Sequence, residues 1–202
     1  MNVDDYNEWR AQHPTLTFAD QQTFMNRAAA AHPLQRSATV REVKRFCWRL
    51  PDGATIIELG GWDGHTAATV LENNDKIAAW RNIELWEGAA AASICDDPRY
   101  EIEILTDWAW SKPIVGDAFI ATHVIEHLTA VELERLIGAL CTNDVLVEAP
   151  IGDGDRTDVT WNDYHGSHIL EWEWGPVGAA FERAGLMLAG SSNDTRTFRA
   201  AS

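Results

Sequence analysis

The segment from residue 54 to residue 73 constrains the fold of this 202-residue chain more than any other. It begins with ATIIELG, a short apolar run ending in glycine, which is typical of a buried strand that leads into a tight turn. It ends with HTAATVLEN, which has the composition of a helix. A buried strand followed by a helix is the repeating unit of a mostly parallel sheet with helices on both faces. The segment therefore predicts an α/β fold.

Further segments continue the alternation of strands and helices. Strands are predicted at residues 81–88, 99–105, 117–122 and 143–150, and LMLAGSS and RTFRAAS predict a closing hairpin near the C-terminus. In a sheet of this kind the ligand crevice lies at the carboxyl ends of the strands, so the turns that follow the strands meet at one rim.

Helices are predicted over residues 17–31, over residues 37–50, between the fourth and fifth strands, and from Pro176 to the residue before Gly185. Thr39 and Glu42 have the spacing of a capping box, and so do Thr129 and Glu132. The length fits one domain. We assign residues 1–36 to a helical leader and residues 37–202 to the α/β domain.

The charge balance restricts the classes of partner. Sixteen Lys and Arg against 31 Asp and Glu give a net charge of −15, which repels polyanions unless basic residues gather on one face. The composition thus disfavours nucleic acid and anionic membranes. The N-terminal MNVDDYNEWR resembles neither a signal peptide nor an anchor, and three widely spaced cysteines without a CxxC pair favour a reduced, cytoplasmic protein.

The glycine-rich turn ELGGWDG, from Glu58 to Gly64, suits close approach of the backbone to a ligand. It is not the dinucleotide fingerprint, because GxGxxG begun at Gly60 would need glycine at positions occupied by Trp62 and His65. Taken alone, the turn is equally compatible with a tight connection that binds nothing.

The turn and the order of the later segments resemble the class I S-adenosylmethionine-dependent methyltransferases. Glu58, Gly60 and Gly64 match the first motif of that family, and Trp62 stands where the family usually has its central glycine. DAFIATHVIEHL, a capped helix and NDVLVEAP resemble its fourth strand, helix and fifth strand. The resemblance, over about residues 37–188, implies a Rossmann-like seven-stranded sheet, helices on both faces and an antiparallel last strand.

The resemblance also implies a set of cofactor contacts. The glycine turn would hold S-adenosylmethionine, Glu87 would bind the ribose hydroxyls at the end of the second strand, and Asp107 with Trp108 would contact the adenine after the third strand. The implied cofactor-binding residues are Glu58, Gly60, Gly64, Glu87, Asp107 and Trp108.

HVIEHL, at residues 123–128, places His123, Glu126 and His127 on the same rim. Residues three and four apart on a helix are neighbours, so these side chains could share an ion if the segment turns helical early. Alternatively, His123 or His127 is a general base for a hydroxyl or amine, with a pKa naturally near neutral.

A later stretch, WNDYHGSHILEWEW, bears on the metal alternative. In this detail the chain resembles the small-RNA 3′-terminal 2′-O-methyltransferases, which hold a divalent metal with an ExxEH segment and a later histidine. By position, this resemblance implies His123, Glu126, His127 and His168 as ligands. Because His123 replaces a glutamate, Mn²⁺, Fe²⁺ or Zn²⁺ would fit better than Mg²⁺.

These observations favour a methyltransferase that acts on a hydroxyl or amine of a small-molecule acceptor, without a metal. The acceptor would enter between the N-terminal helices and the loop at residues 151–167. Two alternatives stay open at this point. One is a metal-dependent RNA 2′-O-methyltransferase, which the histidines favour and the charge of −15 opposes. The other, suggested by Trp62, is a non-catalytic binding module with a methyltransferase-like fold.

Overall fold

The fold was analysed in a computed structural model, which describes residues 33–84, 90–91, 93–105, 112–128, 130–149, 174–192 and 195–201. The helix predicted over residues 17–31 and the loop at 151–167 lie outside these residues. The described elements, in chain order, are α1 (Pro33–Cys47), β1 (Ala54–Leu59), α2 (His65–Leu71), β2 (Ile77–Glu84), β3 (Tyr100–Ile104), β4 (Ile114–Val115), β5 (Ala118–Thr122), a 3₁₀ turn (Ile125–His127), α3 (Ala130–Ala139), β6 (Leu140–Cys141), β7 (Asp144–Glu148), α4 (Trp174–Arg183), β8 (Leu186–Ser192) and β9 (Thr195–Ala200).

Seven strands form one sheet in the order β3-β2-β1-β5-β7-β9-β8, and the short strands β4 and β6 pair separately. Strands β1, β2, β3, β5 and β7 pair in parallel, whereas β9 runs antiparallel to both of its neighbours. The predicted α/β sheet with an antiparallel last strand and a closing hairpin is therefore confirmed. The carboxyl ends of β1, β2, β5 and β7 lie side by side at one rim.

Apolar side chains fill both faces of the sheet. Successive residues of a strand point to opposite faces, so Ile56 packs with α1 and α2 while Ile57 belongs to the cluster shared with α3 and α4. On the second face, the rings of Phe181 and Phe198 stack with centroids 4.3 Å apart. Since each helix buries an apolar stripe, the sheet is held from both sides and its rim has a fixed shape.

The two helices in the second half of the chain, α3 and α4, agree with the predictions from their sequence patterns. Helix α3 begins directly after Thr129, and its predicted stripe is buried at Leu133, Leu136 and Ile137. Helix α4 ends before Gly185, whose φ of 81° suits glycine at the end of a helix.

The predicted starts of two elements were wrong, each by four residues. Helix α1 begins at Pro33, a residue favoured in a first helical turn, so Thr39 lies inside the helix and cannot form the predicted capping box with Glu42. Strand β2 runs from Ile77, four residues earlier than predicted, because Ile77 and Trp80 are fully buried in the core next to β1. Because Thr39 lies inside α1, its hydroxyl is available to donate to Glu148 at the rim.

None of the helices within the described ranges is long and apolar enough to cross a membrane.

Candidate functional site at the glycine turn and the 123–128 segment

The glycine-rich turn after β1 has three residues in the left-handed region of backbone space. Gly60 and Gly64 both have φ near 71°, and Trp62 has φ of 51°. The N–H of Trp62 donates a 2.6 Å hydrogen bond to Oε1 of Glu84, which fixes the strained peptide. Trp62 thus adopts the conformation that a glycine would take at this position. Having tryptophan in place of the usual central glycine changes the side chain at this position, but the backbone stays in the left-handed region.

Tight packing around the turn explains its glycines. A Cβ at Gly60 would overlap the side chain of Val124, and a Cβ at Gly61 would overlap the carboxylate of Glu58. The contact between Gly60 and Val124 brings the turn directly against the segment that contains HVIEHL. The two motifs singled out in the sequence therefore lie directly against each other at the rim.

A buried polar network supports the turn from below. Glu58 is 1% exposed, and its Oε2 accepts a 2.8 Å hydrogen bond from Nε1 of Trp80, whereas its Oε1 has no partner in the described part of the chain. Asn82 accepts the N–H of Gly61 at 2.9 Å and donates to the Tyr100 hydroxyl at 3.1 Å. Glu58 is accordingly buried beneath the turn, bonded to Trp80 of β2, rather than lining an open surface.

Burial dominates the protonation of Glu58. Its pKa is raised to about 8, mainly by loss of solvent; the Trp80 hydrogen bond lowers the pKa in part, and the nearby charges of Glu84 and Asp63 add to the rise. Near neutral pH a large fraction of Glu58 is therefore an uncharged carboxylic acid, which removes most of the cost of burying it.

The acid at the end of β2 is Glu84. The sequence pattern placed Glu87 at the end of this strand; within the described residues β2 runs to Glu84, which is 9% exposed beside the glycine turn. Glu87 lies outside the described residues. Glu84 therefore contacts the turn through the N–H of Trp62, and the ribose-binding role of Glu87 stays a prediction.

The backbone strain at position 62 predicts a difference between two substitutions. Trp62→Ala and Trp62→Gly lose the same indole contacts, but only alanine must keep a Cβ at positive φ, which costs about 1 kcal/mol. We expect Trp62→Gly to melt about 2–4 °C above Trp62→Ala in thermal unfolding. Equal melting temperatures would show that the turn relaxes out of the left-handed region.

The 123–128 segment leaves β5 through a second strained residue. His123 has φ of 56°, and its backbone N–H donates a 2.7 Å hydrogen bond to the carbonyl oxygen of Glu148 at the end of β7. The 3₁₀ turn Ile125–His127 follows, with Val124 and Ile125 buried below it. A non-glycine residue at positive φ is uncommon and is found most often at functional sites.

The His123 ring lies between two buried carboxylates. Its Nδ1 is 3.6 Å from Oε1 of Glu126, and its Nε2 is 3.5 Å from Oε1 of Glu148. The Thr39 hydroxyl of α1 also donates to Oε1 of Glu148, at 2.7 Å. The second oxygens of Glu126 and Glu148 are buried and have no hydrogen-bond partner in the described part of the structure. The early turn that the sequence suggested therefore brings His123 and Glu126 together, and β7 adds Glu148.

The two carboxylates change the expected protonation of His123. Burial alone would lower the pKa of the ring, but the hydrogen bonds and charges of Glu126 and Glu148 outweigh it and raise the pKa to about 10. The prediction of a pKa near neutral is wrong for His123, because the ring keeps its proton at neutral pH. This argues against His123 as a general base.

The described residues give the metal hypothesis little support. Glu126 and Glu148 face opposite nitrogens of the His123 ring, so they do not converge on one point. Within the described ranges, no group of three or more His, Cys, Asp or Glu side chains is arranged to hold an ion. The side chain of His127 and the whole of His168 lie outside these ranges, and their roles stay predictions.

Sequence reasoning missed several residues of the site. Asp107 and Trp108, like Glu87, lie outside the described residues. The residues that the structure adds are Thr39, Trp80, Asn82, Glu84, Tyr100 and Glu148. Glu148 had a signal in the sequence, because it is an acid at the end of a predicted strand. Thr39 had none, because its partner is 109 positions away.

Comparisons with known proteins identify the fold. No family model matches the chain, and no curated protein matches it by sequence. Among solved structures, the chain is similar to CalO1, a methyltransferase in calicheamicin biosynthesis with SAH bound, at 16% identity and a TM-score of 0.59, covering 95% of this chain and 66% of CalO1. The chain thus spans slightly less than two thirds of that protein.

Two further structures resemble the whole fold. One belongs to the Haloferax volcanii complex between the Trm112 methyltransferase activator and a putative methyltransferase, at 12% identity and a TM-score of 0.70, covering 94% of this chain and 100% of that one. The other is the methyltransferase domain of bacterial CtHen1-C, at 15% identity and a TM-score of 0.58, covering 82% and 96%. The protein has the fold of the class I S-adenosylmethionine-dependent methyltransferases, as the sequence resemblance predicted.

Proposed function

We propose that the protein is an S-adenosylmethionine-dependent methyltransferase that methylates a hydroxyl or amine of a small-molecule acceptor. The observation that supports this most is the contact between Gly60 and Val124, because it brings the glycine turn against the 123–128 segment after β5. A donor held by the turn and an acceptor held by Glu126 and Glu148 would then meet at the same part of the rim.

The residues present fit the cofactor. The left-handed turn exposes backbone between two strand ends, and Glu84 is oriented by the N–H of Trp62. We assign the methionine end to the Gly60–Gly64 backbone and the ribose hydroxyls to Glu84, with Asp107 and Trp108 as predicted adenine contacts. When bound, S-adenosylmethionine supplies a methyl group already activated on a sulfonium, so the protein's task is mainly to align the acceptor and exclude water.

The acceptor side rests on the carboxylates around His123. Each of Glu126 and Glu148 has a buried oxygen that lacks a donor, and leaving such an oxygen unpaired costs roughly 1–3 kcal/mol. On acceptor binding, the residues that cover these oxygens would move aside, and a hydroxyl or amine of the acceptor would supply that donor and be oriented by it. His123 would hold the carboxylates in place as a cation. The proposed base is therefore His127, not His123.

Calorimetry with S-adenosylhomocysteine tests the proposal. We expect binding of one molecule per chain, and Glu84→Gln should weaken it by about 10- to 100-fold, because charge-assisted hydrogen bonds to the ribose are lost. The amide retains an acceptor for the N–H of Trp62, so the turn should survive. Glu103→Gln, on the adjacent edge strand, is the matched control and should bind normally. Absence of binding at millimolar ligand would leave the non-catalytic binding module as the remaining function.

RNA 2′-O-methylation is less well supported. The likeness to CtHen1-C concerns the fold, and His123 with Glu126 and Glu148 does not form a convergent ligand set.

A further inference from the structure

The exposed face of α1 and the turn after it is basic and aromatic in a strongly acidic protein. Five of the sixteen Lys and Arg residues fall within positions 36–49, against one acid, Glu42. The side chains of Arg41, Arg45, Trp48 and Arg49 are exposed, with Lys44 half-buried among them. The sequence charge of −15 disfavoured anionic ligands unless basic residues gathered on one face, and on this helix they do.

Helix geometry makes these side chains one surface, which we call the α1 surface. Residues three and four apart are neighbours on a helix, so Arg41, Lys44, Arg45 and Trp48 form a continuous row. The N–H of Trp48 still donates to the carbonyl of Lys44 at 3.0 Å, which extends the helical turn past Cys47. The row therefore ends with an indole flanked by cations.

Most of these cations are not used within the protein. Arg45 pairs with Glu42 at 2.7 Å, but Arg41, Lys44 and Arg49 have no ion-pair partner in the described part of the chain. Cations near a helix C-terminus also offset the helix dipole, which accounts for Lys44 and Arg45. The dipole explains neither Arg41, which lies two turns from the helix end, nor an indole that is 57% exposed.

A groove adjoins the α1 surface. A cavity of about 150 Å³ lies between α1 and the β8–β9 hairpin. It is lined by Arg45 and Arg49, by the hydroxyl residues Ser191, Ser192, Thr195 and Thr197, by the apolar Phe46 and Leu146, and by Glu42, whose carboxylate pairs with Arg45 and would have to release it to a phosphate. Guanidinium and hydroxyl groups together are the donors that bind phosphate oxygens, and arginine does so in a bidentate manner. The volume is sufficient for a phosphoryl group and too small for a whole nucleotide.

We propose that the α1 surface and this groove bind a phosphate-bearing ligand that has a planar ring, with the phosphoryl group between Arg45 and Arg49 and the ring stacked on Trp48. A free nucleotide and a nucleotide unit of a single-stranded nucleic acid share this chemistry. Stacking on an exposed aromatic residue tolerates any base, so the ligand is recognised by phosphate and ring rather than by sequence. This site is separate from the proposed methyl-donor site.

Three probes test the proposal: inorganic phosphate, uridine monophosphate and a fluorescent hexamer of uridine. Uridine replaces adenosine because an adenine ligand could enter the methyl-donor site. Binding is measured by calorimetry for the small probes and by anisotropy for the hexamer. We expect the uridine probes to bind more tightly than phosphate. Binding of the hexamer should fall roughly 10- to 20-fold between about 50 and 200 mM salt if it contacts about three cations.

Two pairs of charge-reversing variants distinguish binding at the α1 surface from a general effect of the protein's net charge. Arg45→Glu with Arg49→Glu should weaken the uridine probes at least about 10-fold, and Trp48→Ala should weaken them about 10-fold without changing phosphate binding. Arg135→Glu with Arg183→Glu makes the same charge change on the helices of the opposite face and should have no effect. Tighter binding of the hexamer than of the monophosphate identifies a nucleic-acid strand, and equal binding identifies a free nucleotide.

Two results would overturn the proposal: no binding of any probe to the wild-type protein, or equal weakening by the two arginine pairs. Unchanged circular dichroism and S-adenosylhomocysteine binding in the α1 variants verify that they are folded. S-adenosylhomocysteine binding reports on the proposed methyl-donor site and not on the α1 surface. A failure of the uridine probes to bind is therefore distinguishable from a failure of the proposed methyltransferase function.

Discussion

Gly60→Ala is expected to destabilise the protein by about 3 kcal/mol and to abolish measurable binding of S-adenosylhomocysteine. The left-handed φ of Gly60 costs alanine about 1–2 kcal/mol, and the new Cβ would overlap the buried side chain of Val124, where overpacking costs about 1–3 kcal/mol. Denaturant unfolding and calorimetry provide the two measurements. Gly178→Ala is the matched control: this glycine lies in α4 with open space around it, so alanine should stabilise the helix by about 0.5–1 kcal/mol.

A double-mutant cycle separates the two causes of this loss. Val124→Ala removes the methyl groups that the new Cβ would meet, while the backbone strain remains. The combination of Gly60→Ala with Val124→Ala should therefore be more stable than the sum of the single changes implies, by about 1 kcal/mol. Strict additivity would contradict the claim that the glycine turn and the 123–128 segment are packed against each other.

Glu58→Gln should change how stability depends on pH. Between the ordinary pKa of an unfolded glutamate, near 4.5, and the folded pKa of about 8, the folded protein binds a proton that the unfolded chain has lost. Stability therefore falls as pH rises through this window, by up to about 1.4 kcal/mol per pH unit. The wild type should lose about 4 kcal/mol from this one group, and the glutamine variant should not.

The two proteins should have similar free energies of unfolding near pH 5, where the amide resembles the protonated acid, and should diverge by pH 8 in favour of the variant. The raised pKa of His123 contributes a loss of stability between about pH 6.5 and 10, but it is common to both proteins and cancels in the comparison. Glu101→Gln removes an exposed carboxylate from β3 and provides a control for the change in net charge. Parallel pH profiles for wild type and Glu58→Gln would show that Glu58 is ionised in the folded protein.

The sequence was sufficient for the fold because local patterns specified it. The apolar run before Gly60, the apolar stripes of α3 and α4, and the closing hairpin each depend on residues near one another in the chain, and all were found in the structure. The start of β2 could not be predicted from neighbouring residues. Strand residues 77–80 are placed by the burial of Trp80 against Glu58, a contact across 22 positions, and the pattern of RNIELWEG alone started the strand too late.

The candidate site was predictable only in part, for the same reason. His123 and Glu126 were expected to be neighbours, because three-residue spacing within one turn determines it. The protonation of His123 depends on Glu148, which comes from another strand, and a general pKa for histidine could not reveal it. The left-handed backbone at Trp62 was also hidden, since nothing about tryptophan indicates a positive φ.

The hydrogen bond from Thr39 to Glu148 has a consequence for where the functional unit of this protein begins. Through one hydroxyl, a helix that precedes the entire sheet in the chain helps to orient a carboxylate at the end of β7. A fragment cut between α1 and β1 would retain all seven strands, yet Glu148 would lose the Thr39 hydroxyl and keep only the His123 ring beside it, and the apolar face of β1 and β7 would be uncovered. A helix from another protein that replaced α1 would need a hydroxyl at the position of Thr39. Without that hydroxyl, the orientation of Glu148 at the rim would change even though the sheet stayed intact.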